Sequence, residues 1–127
     1  MKSIKQTYLI NSSLDKVWQA LVEVKEIENW GAGPAQMKGL ENFNFKLWGG
    51  DIHGKNIQII KNKKLVQEWF GGDWDRPSIV TFNLSRDKNG TKIELIQTNV
   101  PDSEVNDLEN GWKRYYLGEI KKYLERR

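Results

Sequence analysis

The middle of the chain consists of successive hairpins, and this feature restricts the fold more than any other. Between residues 42 and 100, apolar and polar residues alternate in the stretches NFNFKLW, DIHGKNIQII, LVQEWF, SIVTFNLS and TKIELIQTNV. A period of two is typical of strands with one buried face. The segments KNKK and RDKNG have turn composition, and Asn89-Gly90 is a strong hairpin signal. The pattern predicts an antiparallel sheet built from consecutive strands.

Helical segments precede these strands. After a first strand around residues 4–10, the stretch NSSLDKVWQALVEV has its apolar residues at helical spacing. Ser12 is expected to cap this helix, with Asp15 completing a capping box. A short turn containing Ile27 and Trp30 follows, and GAGPA cannot continue a helix. We therefore expect a short helical pair after the first strand.

One long helix is predicted after Pro101, which ends the last strand. Asp102 or Ser103 can cap this helix. Its buried stripe is expected to consist of Val105, Leu108, Trp112, Tyr115, Tyr116, Ile120, Tyr123 and Leu124. Gly111 and Gly118 also lie within this helix, although a glycine inside a helix costs about 1 kcal/mol relative to alanine. We expect both glycines to let the helix approach the sheet or its own neighbours closely.

The sheet has one face to cover, and only the last helix is long enough to cover it. The predicted fold is therefore α+β. It is a helix-grip fold, in which a curved antiparallel sheet of about six or seven strands wraps on the long C-terminal helix.

Length and composition favour a single domain over residues 1–127. A chain of this size buries about two-thirds of its unfolded surface, enough for a core with a cavity. The sequence has no cysteine, which excludes disulfides and thiol catalysis. It shows no signal peptide and no apolar run near the ~20 residues of a membrane span. We expect a cytoplasmic protein.

The charge pattern disfavours a nucleic-acid partner. The formal net charge is only +3, and the lysines gather locally, in residues 55–64 and near the C-terminus. A nucleic-acid binder normally has a more basic domain with a basic stripe or a known motif. Solvated lysines, or an acidic protein partner, explain this charge better.

Four segments carry a family resemblance: WGGDIHG from Trp48, KKLVQEW ending at Trp69, NGTKIEL from Asn89, and VPDSEVNDLENGWKRYYLGEIK from Val100. With these segments the chain resembles the activator of heat-shock-protein-ninety ATPase homologue family. That family lies within the START-related, birch-pollen-allergen-like superfamily. The resemblance covers nearly the whole chain, and the last segment is particularly similar to the end of the co-chaperone's C-terminal domain.

The resemblance implies a START-like domain with one of two functions. The first is a non-enzymatic domain that binds a heat-shock chaperone as an accessory protein. The alternative is a carrier of a small hydrophobic ligand in a cavity between helix and sheet. The eukaryotic co-chaperone has a separate N-terminal domain with no counterpart in this sequence. We therefore expect weak chaperone binding, with a Kd no better than micromolar (about −8 kcal/mol), and little ATPase stimulation.

No catalytic motif is recognisable in the sequence. If KNKK sets the hairpin register, the single histidine, His53, lies near Gly72 and close to Asp73 and Asp75. Their spacing matches no zinc or calcium loop. We expect His53 to be an ordinary strand residue, and we expect no metal, no cofactor and no enzymatic activity.

The aromatic residues are the candidate binding residues. The chain has 6 tryptophans, and their rings can either fill a core or line a cavity between helix and sheet. Trp48 and Trp74 lie beside glycines and loops, so we expect them to be the most exposed. The predicted ligand- or partner-binding residues are Trp30, Trp48, Trp69, Trp112 and Tyr116.

Overall fold

The computed structural model describes residues 1–126. Its strands are β1 (Lys2–Ile10), β2 (Asn44–Leu47), β3 (Ile52–Ile60), β4 (Lys64–Gly71), β5 (Ser78–Asp87) and β6 (Gly90–Val100). Its α-helices are α1 (Leu14–Val22), α2 (Val24–Trp30), α3 (Val105–Gly111) and α4 (Leu117–Glu125). A π-helical turn, Trp112–Tyr116, joins α3 to α4. Residues 102–125 are together called the C-terminal helix.

The strands form one antiparallel sheet of six strands in the order β1-β6-β5-β4-β3-β2. Strands β2 to β6 each pair with their neighbours in sequence, as the hairpin pattern predicts, and β1 pairs with β6. Asp87 pairs with Gly90, so the β5–β6 loop consists of Lys88 and Asn89. The predicted α+β helix-grip fold is confirmed, with six strands and with the short helical pair α1 and α2.

The start of α1 lies one residue later than the capping prediction. The Ser13 hydroxyl, and not that of Ser12, accepts a hydrogen bond from the Lys16 amide at 3.2 Å. Both serines fit the sequence pattern of a cap, and only the path of the chain leaving β1 decides between them. Helix α2 ends at Gly31, which has φ +116°.

The β3–β4 hairpin has a different register from the predicted one. Its loop has three residues, 61–63, with Asn62 at φ +64°, and a bulge leaves Ile57 without a partner on β4. Each irregularity moves the pairing by one residue. His53 therefore lies opposite Phe70 and not Gly72, so the predicted neighbourhood of His53 was wrong.

The C-terminal helix begins without a side-chain cap. Neither Asp102 nor Ser103 caps it, contrary to the prediction, because a 3-10 turn at Asp102–Glu104 leads directly into α3. The Asp102 carboxylate instead lies 3.2 Å from the N-terminal amine.

The π-helical turn changes which side of this helix is buried. Trp112, Tyr116, Leu117 and Ile120 are each 2% exposed or less, whereas Tyr115 is 61% exposed. The prediction that Tyr115 is buried was wrong, and the burial of Leu117 was missed. A turn that is one residue wider rotates the following residues relative to a regular α-helix.

The core lies between the helices and the inner face of the sheet. Regular alternation along β4, β5 and β6 places their inward side chains against it. Five polar residues on strands β3 to β6 are also buried, each 1% exposed or less: Asn56, Gln67, Ser78, Thr91 and Gln97. Among the described residues, no helix is both long enough and apolar enough to span a membrane.

Candidate functional site: an aromatic cleft

Tyr116 is the centre of a cluster of aromatic rings on the inner face of the sheet. The distances from its ring centroid to the neighbouring centroids are 4.7 Å to Trp112, 4.8 Å to Trp30, 5.8 Å to Trp69, 5.9 Å to Phe82 and 6.0 Å to Trp48. The structure therefore brings all five predicted residues together. Phe82, on β5, belongs to the same cluster and was not predicted.

One side of this cluster opens to the surface as a cleft of about 290 Å³, called the aromatic cleft below. It lies between the C-terminal helix and the end of the sheet where β3 begins and β4 ends. Its lining residues are Trp48, Asp51, Ile52, Trp69, Leu108, Gly111, Trp112, Tyr115 and Tyr116.

Four of the five predicted residues line the cleft, and Trp30 does not. The Trp30 ring instead packs behind Tyr116 and Trp48, with its indole N–H donating to the Ala20 carbonyl at 2.8 Å. Trp48 and Trp74 are the two most exposed of the six tryptophans, as expected, although both are partly buried. The binding role of all these residues stays a prediction.

Hydrogen bonds to the protein fix the tryptophan rings that line the cleft. Trp48 donates its indole N–H to the Gly31 carbonyl at 3.0 Å. Trp112 donates to Gln97 Oε1 at 2.8 Å, and Trp69 donates to Gln67 Oε1 at 2.8 Å. Because each donor is already used, these three residues present ring surfaces to the cleft rather than N–H groups.

The buried amides behind these rings hold one another in place. Gln67 Nε2 donates to Asn56 Oδ1 at 2.9 Å, and Asn56 Nδ2 donates to the carbonyls of Lys38 and Leu40 at 2.9 and 3.1 Å. A buried amide that is satisfied in this way fixes its own rotamer. The ring of Trp69 is therefore oriented by a chain of hydrogen bonds that ends in the loop before β2.

The cleft offers little for acid–base chemistry. Its ionisable residues are Asp51, Tyr115 and Tyr116. Burial raises the pKa of the Tyr116 hydroxyl well above its usual value of 10.0. That hydroxyl has no hydrogen-bond partner among residues 1–126. It therefore stays protonated at neutral pH, and no neighbouring base is available to it.

His53 lies on the other side of β3 from the core cluster and stacks on Phe70, with ring centroids 5.6 Å apart. Within the described residues, no three His, Asp or Glu side chains come close enough together to hold a metal ion. The local arrangement is that of a strand residue packed on its cross-strand neighbour.

Several cleft residues were not recognised as site residues from the sequence. Tyr115 was assigned to the buried stripe and instead lies at the mouth of the cleft. Gly111 was expected at a close helix contact, yet a Cβ atom added there would meet no other atom within 4 Å. The signal for Gly111 that the sequence offered was a glycine placed inside a helix with four aromatic residues. Asp51 and Phe82 had no distinguishing signal in the sequence.

Solved structures of other proteins have the same fold. An Hsp90 activator from Plasmodium falciparum is 24% identical with a TM-score of 0.89, and the match covers 98% of this chain and 96% of that one. The Aha1 dimer from Colwellia psychrerythraea is 21% identical with a TM-score of 0.86, covering 99% and 98% of the two chains. At these levels of sequence identity, the structural similarity establishes the shared fold.

Two curated relatives are similar to this chain in sequence. An activator of 90 kDa heat shock protein ATPase homolog from Dictyostelium discoideum is 30% identical over 123 residues, which is 94% of this chain and 32% of that protein. The Hsp90 co-chaperone AHA1 from Saccharomyces cerevisiae is 27% identical over 123 residues, covering 94% and 34%. The chain thus spans about a third of the length of these relatives.

The family relationship extends over almost the entire chain. The model of the family described as "Activator of Hsp90 ATPase homolog 1-like protein" matches residues 11–125. This range begins just after β1 and includes the helices α1 to α4 and the aromatic cleft. The chain belongs to this family of proteins like activator of Hsp90 ATPase homolog 1.

Proposed function

We propose that this domain binds an Hsp90-class chaperone in the cytoplasm as an accessory domain and catalyses no reaction itself. The observation that carries the proposal is the match over 94% of the chain to relatives named as Hsp90 ATPase activators and co-chaperones. Because the chain spans about a third of those proteins, stimulation of the chaperone ATPase is a separate question from binding.

The mouth of the aromatic cleft is the surface that fits such contact best. Tyr115 is exposed on the π-helical turn, and the partly buried Trp48 and Leu108 line the cleft with it. Lys113 and Arg114, which precede Tyr115 on this turn, are exposed and do not line the cleft. An exposed aromatic residue next to apolar neighbours is a typical interface anchor. Two adjacent cations steer an acidic partner towards it.

Titration of fluorescently labelled chain with a purified Hsp90 chaperone tests this proposal. We expect a Kd in the micromolar range, about −8 kcal/mol, weakened by added salt, and little change in the ATPase rate. Tyr115→Ala should weaken binding about tenfold or more, because it removes the exposed anchor.

Leu40→Ala is the matched control, since Leu40 is also exposed (60%) but does not line the cleft. Its binding should equal that of the unmodified chain. Absence of binding at low salt would contradict the proposal. Equal losses in the two variants would contradict the assignment of the surface.

A second candidate function is binding of a small hydrophobic ligand, and the aromatic cleft itself favours it. A volume of about 290 Å³ lined by aromatic and aliphatic side chains lies at the lower end of known ligand sites. Fatty acids, sterols and flavonoids are the first ligands to test, with tryptophan fluorescence as the readout. A saturable change would support this function, and no change with any of them would count against it.

A further inference from the structure

We propose that the aromatic cleft selects an organic cation, that is, an ammonium group with apolar substituents. The inference rests on the second candidate function, ligand binding in the cleft, and goes beyond it by assigning the charge of the ligand. It does not rest on chaperone binding, although Trp48, Leu108 and Tyr115 belong to both proposed sites.

The first argument is the nature of the cleft wall. Trp48, Trp69, Trp112, Tyr115 and Tyr116 line it together. Trp69, Trp112 and Tyr116 are each only 2% exposed, so Trp48 and Tyr115 supply most of the accessible ring surface. The face of an aromatic ring carries partial negative charge, and a cation within about 6 Å of the ring centre is attracted to it, most strongly by tryptophan. Groups of such rings are a known means of recognising quaternary ammonium ions.

The second argument is that the tryptophan N–H donors are unavailable to a ligand. An anion such as a fatty-acid carboxylate needs donors when it leaves water. All three indole N–H groups at the cleft are bonded to Gly31 O, Gln67 Oε1 and Gln97 Oε1, at 3.0, 2.8 and 2.8 Å. A carboxylate would therefore find no indole donor at the cleft, and the hydroxyl groups of Tyr115 and Tyr116 are the side-chain donors that remain among the lining residues.

The third argument is the charge at the cleft. Asp51 is the one charged residue among those that line it, and no lysine or arginine does so. The Asp51 residue is exposed and forms no ion pair within residues 1–126. In a chain with a formal net charge of +3, this site combines a carboxylate with the negative faces of the rings. Within the cleft both features favour a cation and disfavour an anion, since the exposed Lys113 and Arg114 of the neighbouring turn lie outside its lining.

The fourth argument is that Gly111 keeps the cleft open. Its backbone is regular α-helix, with φ −62° and ψ −42°, and a Cβ atom there would meet no other atom within 4 Å. No contact therefore requires glycine, although glycine is unfavourable inside a helix. Because Gly111 lines the cleft, any larger side chain at this position would occupy the space available to a ligand.

The test compares three ligands of similar shape and different charge. Benzyltrimethylammonium is the cation, neopentylbenzene is its uncharged carbon isostere, and phenylacetate is the anion. Binding to the full chain is followed by tryptophan fluorescence and by the NMR signals of the indole N–H groups. We expect the cation to bind about tenfold more tightly than the uncharged isostere, and the anion not to bind.

Three variants assign the effect to the cleft. Asp51→Asn should weaken binding of the cation several-fold and leave the uncharged isostere unchanged. Asp87→Asn removes the same charge at the far end of β5 and should change the affinity for neither compound. Gly111→Leu should abolish binding of both compounds while the protein remains folded, as judged by its thermal unfolding.

The outcomes distinguish the cation inference from the second candidate function, binding of a hydrophobic ligand. Equal affinity for the cation and its isostere, or tighter binding of the anion, would overturn the cation inference and leave a hydrophobic-ligand site. No binding of any compound would overturn both. Binding that persists in Gly111→Leu would show that the ligand lies elsewhere, which also contradicts the inference.

Discussion

Gly111 and Gly118 are the same residue type on the same helix, and their surroundings differ completely. A Cβ atom at Gly118 would overlap the carbonyl oxygen of Lys113, five residues earlier, whereas one at Gly111 would meet nothing within 4 Å. The wide turn at Trp112–Tyr116 causes the difference, because it directs a carbonyl group at the position where the Gly118 side chain would be. The close approach expected at Gly118 is thus to its own helix, and the one expected at Gly111 was wrong.

Alanine substitutions should therefore have opposite effects at the two positions. Gly111→Ala should raise the free energy of unfolding by about 1 kcal/mol, because alanine favours the helix and nothing obstructs it. Gly118→Ala should lower it by about 1–3 kcal/mol, since the π-helical turn must shift to make room. Urea denaturation of both variants measures the change in the free energy of unfolding. Changes of the same sign in the two variants would contradict the structure.

At the scale of the elements, hydrogen bonds connect the end of α4 to the end of β1. Lys121 Nζ donates to the Leu9 carbonyl at 2.6 Å and to Glu125 Oε2 at 2.8 Å. Glu125 Oε2 also accepts from the Asn11 amide at 2.9 Å. The Asn11 hydrogen bond, followed by the Lys121 contact, lowers the pKa of the Glu125 carboxyl below its usual value of 4.5. One carboxylate thus connects the last helix to the first strand.

This connection should make stability depend on acid pH. A pKa that is lower in the folded state contributes stability above the unfolded pKa, and that contribution disappears as the pH falls through the folded pKa. Glu125→Gln should therefore be less stable than the unmodified protein at neutral pH, and the difference should shrink below about pH 4. Chemical denaturation at a series of pH values measures it. Glu94→Gln, on an exposed position of β6, is the control, and a pH-independent difference in Glu125→Gln would contradict the explanation.

At the scale of the whole molecule, the C-terminal helix supplies the cover for the inner face of the sheet. Trp112, Tyr116, Leu117 and Ile120 are its fully buried side chains. At roughly 1.5–3 kcal/mol each, their burial contributes roughly 6–12 kcal/mol. This is comparable to the total stability of a typical domain, about 5–15 kcal/mol. The sheet is therefore not expected to stay folded without this helix.

Truncation after Pro101 tests this dependence. The shortened chain should lose cooperative thermal unfolding and bind a hydrophobic dye, because the inner face of the sheet would be exposed to water. Calorimetry and dye fluorescence measure the two effects. A truncated chain that melts cooperatively near the temperature of the full chain would contradict this account of the fold.

The sequence by itself determined the elements and their order. Strand alternation, turn composition and helical spacing are local properties, and they correctly predicted the hairpins, the helical pair and the long last helix. Once one face of an antiparallel sheet needs a cover, the helix-grip arrangement follows. The predicted aromatic residues also meet in the structure: four of them surround the fifth, Tyr116, and the unpredicted Phe82 joins them.

The tertiary structure alone decided the details on which the cleft depends. The bulge at Ile57 and the π-helical turn each add one residue to a regular pattern, and their cost is offset by packing between distant segments. They place His53 opposite Phe70 and turn Tyr115 outwards to the mouth of the cleft. The opening beside Gly111 likewise exists only between a helix and a sheet that are far apart in sequence. No local pattern specifies such features, because each is the outcome of fitting two surfaces together.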